Sequence, residues 1–263
     1  MDPQLPTSSP WVERIIPGRF EGKTIIVTGA GSGIGKATAL RIAREGGRVI
    51  VSDIVADRLD HLVAENPDLA LVPVAGDVSN EADVARIVAA CEGSVHGLVN
   101  NAGIMDDFLP AAEVTDEVWS RVMRVNVESV MRLSRAVIPL FLAQGGGIIV
   151  NVTSEAGLRG GCAGIAYTAS KHALIGMTKN TAFMYGPSGI RTNAVAPGGV
   201  TTGIVATFAS ELAMQRLGPL FQVVAGTPAQ PEQLAAAISY LASDDSSNIN
   251  GVILPSDGGW SAQ

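Results

Sequence analysis

Tyr167 and Lys171 stand four apart in Ala166-Tyr167-Thr168-Ala169-Ser170-Lys171, and Ser154 lies thirteen residues upstream of the tyrosine. On a helix, residues four apart share a face, so phenol and ammonium project into one space. A free tyrosine has a pKa near ~10 and is a poor base at neutral pH. A cation held beside it favours the phenolate and lowers that value. A serine hydroxyl reaching the same point hydrogen-bonds the oxygen that gains or loses the proton. These residue types together make a proton-transfer site for an alcohol/carbonyl pair. Tyr-x-x-x-Lys alone is commonplace on helices; its weight here comes from the other end of the chain.

There, Lys23-Thr24-Ile25-Ile26-Val27-Thr28 is a β-branched run that reads as a buried strand. It leads into Gly29-Ala30-Gly31-Ser32-Gly33-Ile34-Gly35, and Lys36–Ala43 then reads as a helix. Strand, glycine turn and helix form the context in which such a turn cradles a pyrophosphate: glycines let the backbone approach, and the helix start offers free N–H groups. The glycines at 29, 33 and 35 are spaced G-x-x-x-G-x-G rather than G-x-G-x-x-G.

The remaining elements must carry these groups. Further strands are expected at Arg48–Ser52, Ala70–Ala75, Gly97–Asn100, Gly146–Val152 and Ile190–Ala196, with long helices at Thr115–Leu142 and Tyr167–Tyr185. Regular alternation implies a parallel sheet covered by helices on both faces, an α/β three-layer domain. Gly29, Asn100, Ser154 and Pro197 each follow a strand, where open α/β sheets bind ligands. A chain of 263 residues, 47% apolar with 30 glycines, suits one such domain. A net charge of −7 argues against nucleic acid as a partner. The apolar runs are too short for a membrane span. Residues 1–19 contain Pro3, Pro6, Pro10 and Pro17 and read as an extended arm, anchored by Trp11 and Ile15-Ile16, rather than a secretory signal. Cys91 and Cys162 form no framework, which suggests reduced thiols and a cytoplasmic protein. His61, His96 and His172 lack ligand spacing, so no metal is expected, and His172 reads as packing.

Thr28-Gly29-x-x-x-Gly33-x-Gly35, Asn100-Asn101-Ala102-Gly103, Ser154, Tyr167-x-x-x-Lys171 and Pro197-Gly198 resemble, in order and spacing, the motifs of the short-chain dehydrogenase/reductase family. The resemblance runs from about Phe20 to Gly259 and is nearest to 3-oxoacyl-thioester reductases and secondary-alcohol dehydrogenases. It implies a Rossmann-type doubly wound sheet. It also implies a mechanism in which Ser154 binds the substrate oxygen and Tyr167 exchanges the proton. Lys171 lowers the tyrosine pKa and holds the nicotinamide ribose, and Asn126 binds a water that completes the proton path. The implied cofactor contacts are Gly29, Ser32, Gly33, Ile34, Gly35, Asp53, Asp77, Val78, Asn101, Ala102, Gly103, Tyr167, Lys171, Pro197, Gly198, Val200 and Thr202.

Charge selects the cofactor. Asp53 lies eighteen residues beyond Gly35 at the end of a strand, where a carboxylate accepts the ribose hydroxyls of NAD and repels the 2′-phosphate of NADP. Arg58 is the cation that could turn inward against this reading. Helix capping is the rival role for Asp53 and for Asp77, which the resemblance places against the adenine ring with Val78. The segment 203–226, with Phe208, Leu212, Met214, Leu217, Leu220 and Phe221, is expected to be a lid over an apolar substrate. Glu155 departs from the family pattern, and contact with substrate or pairing with Arg159 are both open to it.

The preferred function is an NAD-dependent dehydrogenase of a secondary alcohol. A 3-oxoacyl-thioester reductase, with Arg132 and Arg135 as part of a carrier-docking face, is the alternative. A catalytically silent NAD-binding regulator is the alternative class, and it would be expected to show a broken Tyr or Lys. Apolar residues around the two long helices, among them Ile138, Leu140, Phe141, Phe183, Met184 and Tyr185, predict a homotetramer. A further interface is expected near Gly251–Gly259.

Overall fold

Every residue of strand β1 (Thr24–Thr28) is buried, because a central strand of a parallel sheet is covered on both faces. Its side chains alternate: Ile25 and Val27 enter one core, Ile26 the other. The computed structural model describes residues 11–202, 207–224 and 226–262. After β1 come helix α1 (Gly33–Arg44), β2 (Arg48–Asp53), α2 (Ala56–Ala64), β3 (Leu71–Ala75), α3 (Glu81–Ala89) and β4 (Gly97–Asn100). They are followed by α4 (Asp116–Met123), α5 (Ser129–Gln144), β5 (Gly147–Val152) and α6 (Ile165–Tyr185). The chain then forms β6 (Ile190–Pro197), α7 (Glu211–Val224), α8 (Pro231–Ala242) and β7 (Ile253–Ser256).

The sheet is seven-stranded in the order β3-β2-β1-β4-β5-β6-β7, with every pair parallel. The order in which successive strands are added reverses between β1 and β4, so the crevice of a doubly wound fold opens beyond Thr28 and Asn100. One core packs Ile42 of α1 and Leu234, Ile238 and Leu241 of α8 on the sheet. The other packs Val84 and Ile87 of α3 and Leu133, Val137 and Phe141 of α5. The result is a single α/β/α domain.

Four expectations need correction. The helix anticipated over Thr115–Leu142 is interrupted by one π-helical turn, Arg124–Glu128, and ends at Gln144. Strand β7 was not anticipated: four residues containing a proline carry no alternation signal. The described part of the arm is not held by Trp11 or Ile16, which are exposed. Charge holds it: Glu13 pairs with Arg41 and Arg44, Arg41 donates to the Arg14 carbonyl, and Ile16 N–H donates to buried Glu45. Ile138 and Phe141 are buried in the core, whereas Phe183 and Met184 are 82% and 60% exposed.

Candidate active site

At the end of β1 the chain must turn sharply into α1. Gly29 takes φ +63°, and a Cβ on Gly35 would lie 2.1 Å from the Gly29 carbonyl oxygen, so helix and turn touch backbone to backbone. Asn101 holds the turn, its amide donating to the carbonyls of Thr28 (2.9 Å) and Gly29 (3.3 Å). Asn100 ties β4 to β5 by donating to Asn151 at 2.9 Å. Beyond the turn lies a cavity of about 540 Å³ whose wall includes Gly29, Ser32, Gly33, Ile34, Asp53, Asp77, Val78, Asn101, Ala102, Gly103 and Thr202. Gly35 sits behind it. Pro197 ends β6, Gly198 N–H donates to the Ser256 carbonyl and Val200 bridges Ala229; these three are not part of that wall.

Asp53 is buried and caps no helix; Val55 holds the cap position of α2. Its oxygens accept from Gly31 N–H and Val55 N–H, both at 3.0 Å, which fixes the carboxylate at the cavity edge. Arg58 also lines the cavity. Asp77 accepts from Ser79 N–H in a turn, and Asn80 caps α3 instead. A larger cavity of about 750 Å³ lies at the opposite strand ends and holds none of these motifs. Its cations are engaged, Arg19 with Glu45 and Asp245, and Lys23 with Asp244.

The second group converges on the N-terminal turns of α6. Ser154 stands close enough to the Tyr167 phenol to lower its pKa, while its own Oγ accepts from Ala156 N–H at 3.1 Å. Lys171 Nζ lies 5.4 Å from the centre of the Tyr167 ring and donates to the Val152 carbonyl at 2.9 Å. The π turn directs Asn126 inward, where its amide accepts from Ile104 N–H and donates to the Ile104 carbonyl and Ser170 Oγ. A Cβ on Gly103 would lie 3.4 Å from Asn126 Oδ1 and 3.5 Å from Lys171 Nζ, so both polar groups face one point that the glycine keeps open.

Burial sets the electrostatics. It pushes the Tyr167 phenol up to about 12; the Ser154 hydroxyl pulls the other way and the Asp106 charge adds to the rise. Lys171 is not among the groups that shift the phenol, so the expected lowering by the ammonium is not realised here. Burial alone lowers Lys171 to about 8. Glu155 is buried against Arg159, whose Nε is 3.2 Å from Oε2, so the pairing alternative is the one realised. His172 is exposed, not packed.

The model of the family described as short chain dehydrogenase matches residues 23–213. The chain belongs to this family. A 3beta-hydroxysteroid dehydrogenase 2 of Eggerthella lenta is 43% identical over 251 residues, 92% of this chain and 95% of the relative. A cyclohexanol dehydrogenase of an Acinetobacter species is 38% identical over 258 residues, 96% of this chain and all of the relative (100%). The crystal structure of a 3-ketoacyl-(acyl-carrier-protein) reductase from Brucella melitensis complexed with NADH superposes with a TM-score of 0.83 at 35% identity, covering 92% of this chain and 99% of that chain. This short-chain dehydrogenase is thus an oxidoreductase acting on CH–OH groups with a nicotinamide cofactor. The cavity suits a dinucleotide: side chains on Gly29 or Gly33 would fill it against Asn101 and Thr202, and α1 begins at its floor.

Several residues of this dehydrogenase's site escaped the sequence reading. Asp106 is fully buried and accepts from Gly164 N–H (3.1 Å) and Tyr167 N–H (2.8 Å), capping α6 from another loop. Asp107 and Phe108 both take positive φ, 55° and 58°, an unusual strain for non-glycine residues. That turn stacks Phe108 on Phe208, with centroids 4.2 Å apart, and Phe221 bridges edge-on to Phe108 and Trp260. An aromatic wall therefore joins the loop after β4, the segment around α7 and the C-terminal segment. The adjacent pair Asp106-Asp107 in an apolar stretch was the available signal.

Proposed function

We propose that this protein oxidises or forms a secondary alcohol with an apolar body, prefers NAD, and uses Ser154, Tyr167, Lys171 and Asn126 for proton transfer. The observation that carries the reading is the phenol of Tyr167, with Ser154 beside it and Lys171 Nζ 5.4 Å from its ring centre, near an aromatic wall. The cofactor residues are those named above, from Gly29 to Thr202, with Pro197, Gly198 and Val200 approaching from the β6 end. When bound, the nicotinamide supplies the hydride acceptor or donor.

In oxidation, Ser154 donates a hydrogen bond to the substrate oxygen and Tyr167 Oη takes the hydroxyl proton. In reduction Tyr167 is the acid, a role that suits a phenol kept protonated by burial. Lys171 stabilises the phenolate once the proton has left, and Asn126 holds the loop after β4 against α6 so that a proton can reach Lys171. Residues 203–226 act as the lid; Gly203–Ala206 and Ala225 lie outside the described residues. The described part of the arm, residues 11–19, packs outside the site, residues 1–10 lie outside the described residues, and the protein is a cytoplasmic homotetramer. A thioester reductase with a basic docking face has less support, because Arg132 and Arg135 are paired with Glu128 and Glu81.

Tyr167→Phe is expected to lower cyclohexanol or 3β-hydroxysteroid turnover by ~10² or more while leaving NADH binding, followed by fluorescence, nearly unchanged. Near-normal turnover would overturn the mechanism. NAD is expected to win over NADP in kcat/KM by ~2 kcal/mol or about 30-fold, since the 2′-phosphate would meet Asp53 as a like charge. Asp53→Ala should shrink that ratio. Equal ratios in the unmutated protein would assign the selection to Arg58 instead.

A further inference from the structure

Thr153 stands between the last residue of β5 and Ser154, and it is 2% exposed. Its N–H donates to the Val195 carbonyl at 2.8 Å, which carries the contact between β5 and β6 one residue further. Its hydroxyl reaches α6 and donates to the Lys171 carbonyl at 3.0 Å. Lys171 lies inside α6, where the helix ladder takes one lone pair of that carbonyl; the hydroxyl takes the other. The ammonium of the same residue donates to the Val152 carbonyl at 2.9 Å. Main chain and side chain of Lys171 are thus tied to Val152 and Thr153, the two residues that immediately precede Ser154.

The two ties are not equivalent. A lysine ammonium sits on a flexible four-carbon stem and holds its helix loosely. A hydroxyl one bond from its own main chain, bonded to the main chain of the helix, fixes the two backbones against each other. Threonine is β-branched, so its χ1 is restricted and the hydroxyl stays aimed. Gly157 makes room for the contact. A Cβ there would lie 2.5 Å from Thr153 Oγ1 and 2.9 Å from the Lys171 carbonyl oxygen, so a side chain would wedge them apart. The same glycine ends the 3₁₀ turn Glu155–Gly157 that Ser154 caps.

We propose that Thr153 is a positioning residue: its hydroxyl fixes α6 at Lys171 to the end of β5 and so sets the place of Ser154 relative to the Tyr167 phenol. The consequence for turnover rests on the proposed roles of Ser154, Tyr167 and Lys171; the placement itself does not.

Thr153→Val keeps the shape and removes the donor, and Thr153→Ser restores the donor without the methyl. With cyclohexanol, Thr153→Val should lower kcat about ten-fold, since misplaced reacting groups lose rate. KM and the NADH dissociation constant should stay within about two-fold of the parent, because neither reports the proton step. The solvent deuterium isotope effect on kcat should rise as proton transfer becomes the slow step; a variant that was only less stable would leave it unchanged. Thr153→Ser should recover most of kcat and the isotope effect of the parent. Gly157→Ala reaches the same hydrogen bond from the other side and should reproduce the valine result; it decides if Thr153→Val does not fold by circular dichroism. Crystal structures read the placement without turnover: Ser154 Oγ should shift relative to Tyr167 Oη by more than ~0.5 Å in Thr153→Val and return in Thr153→Ser. An unmoved Ser154, an unchanged kcat in Thr153→Val, or a loss that serine does not restore would overturn the proposal. No turnover of cyclohexanol or any other apolar alcohol by the parent would count against the substrate reading, and the crystal structures would still decide on Thr153.

Discussion

Lys171 is charged, buried and singly hydrogen-bonded, an expensive arrangement for a fold to keep. Burial lowers it from 10.5 to about 8, which corresponds to a cost on the order of 3 kcal/mol at neutral pH. Lys171→Met removes that cost and leaves the Val152 carbonyl without its donor, a loss of roughly 1 kcal/mol. The variant should therefore melt a few degrees higher than the parent without cofactor, while losing turnover. A lower melting temperature would mean that the ammonium is better solvated than its burial implies. The sign with pH follows: the unfolded chain binds the extra proton between about 8 and 10.5, so stability should rise with pH across that window. Tyr167, raised to about 12, opposes it above about pH 10. Tyr167 and Lys171 were legible because four-residue spacing on a helix is a local property, and Ser154 because it follows a readable strand in the order of the family's motifs. Asp106 was not, because it caps a helix whose first turn lies about sixty residues further along the chain.

At the scale of elements, helix α6 depends on that borrowed cap. Gly164 is the residue before the helix and offers no side chain; a Cβ there would lie 2.5 Å from Asp106 Oδ2. Asp106→Asn keeps the shape but turns an amide N–H₂ toward at least one of the N–H groups now accepted, a conflict of about 1–3 kcal/mol. Thermal melting should fall by several degrees, and catalysis should weaken more than cofactor binding, because the cap sits at Tyr167 and not at the glycine turn. Loss of binding and turnover in equal measure would contradict this. The strands of the central sheet were readable from β-branched runs such as Ile25-Ile26-Val27. The π turn was not, since its sequence Arg124–Glu128 fits an ordinary helix and only the inward pull of Asn126 distinguishes it. Strand β7 was hidden by its length and by Pro255; its pairing with β6 comes from tertiary contact alone.

For the whole molecule, assembly is the open quantity that the surface addresses most directly. Phe183 and Met184 near the end of α6, with Met131 and Leu142 on α5, leave apolar area in water, and contiguous patches of this kind mark interfaces. Light scattering at micromolar concentration should give four times the chain mass, and Phe183→Arg should give a smaller species with the same far-ultraviolet dichroism. A monomer mass for the parent would end the tetramer reading.

The order in which the chain leaves the ribosome follows from the same topology. The wall of the dinucleotide cavity is drawn from Gly29 to Thr202, whereas three members of the aromatic wall, Phe208, Phe221 and Trp260, come later, and so does β7. A growing polypeptide therefore contains every cavity-lining residue while it still lacks the strand and the tryptophan that finish the substrate side. Ligand that binds such a partly made chain stabilises it by mass action. Such binding also needs α8, whose Leu234, Ile238 and Leu241 pack with Ile42 of α1, so the dinucleotide side gains its footing only once Pro231–Ala242 has been made.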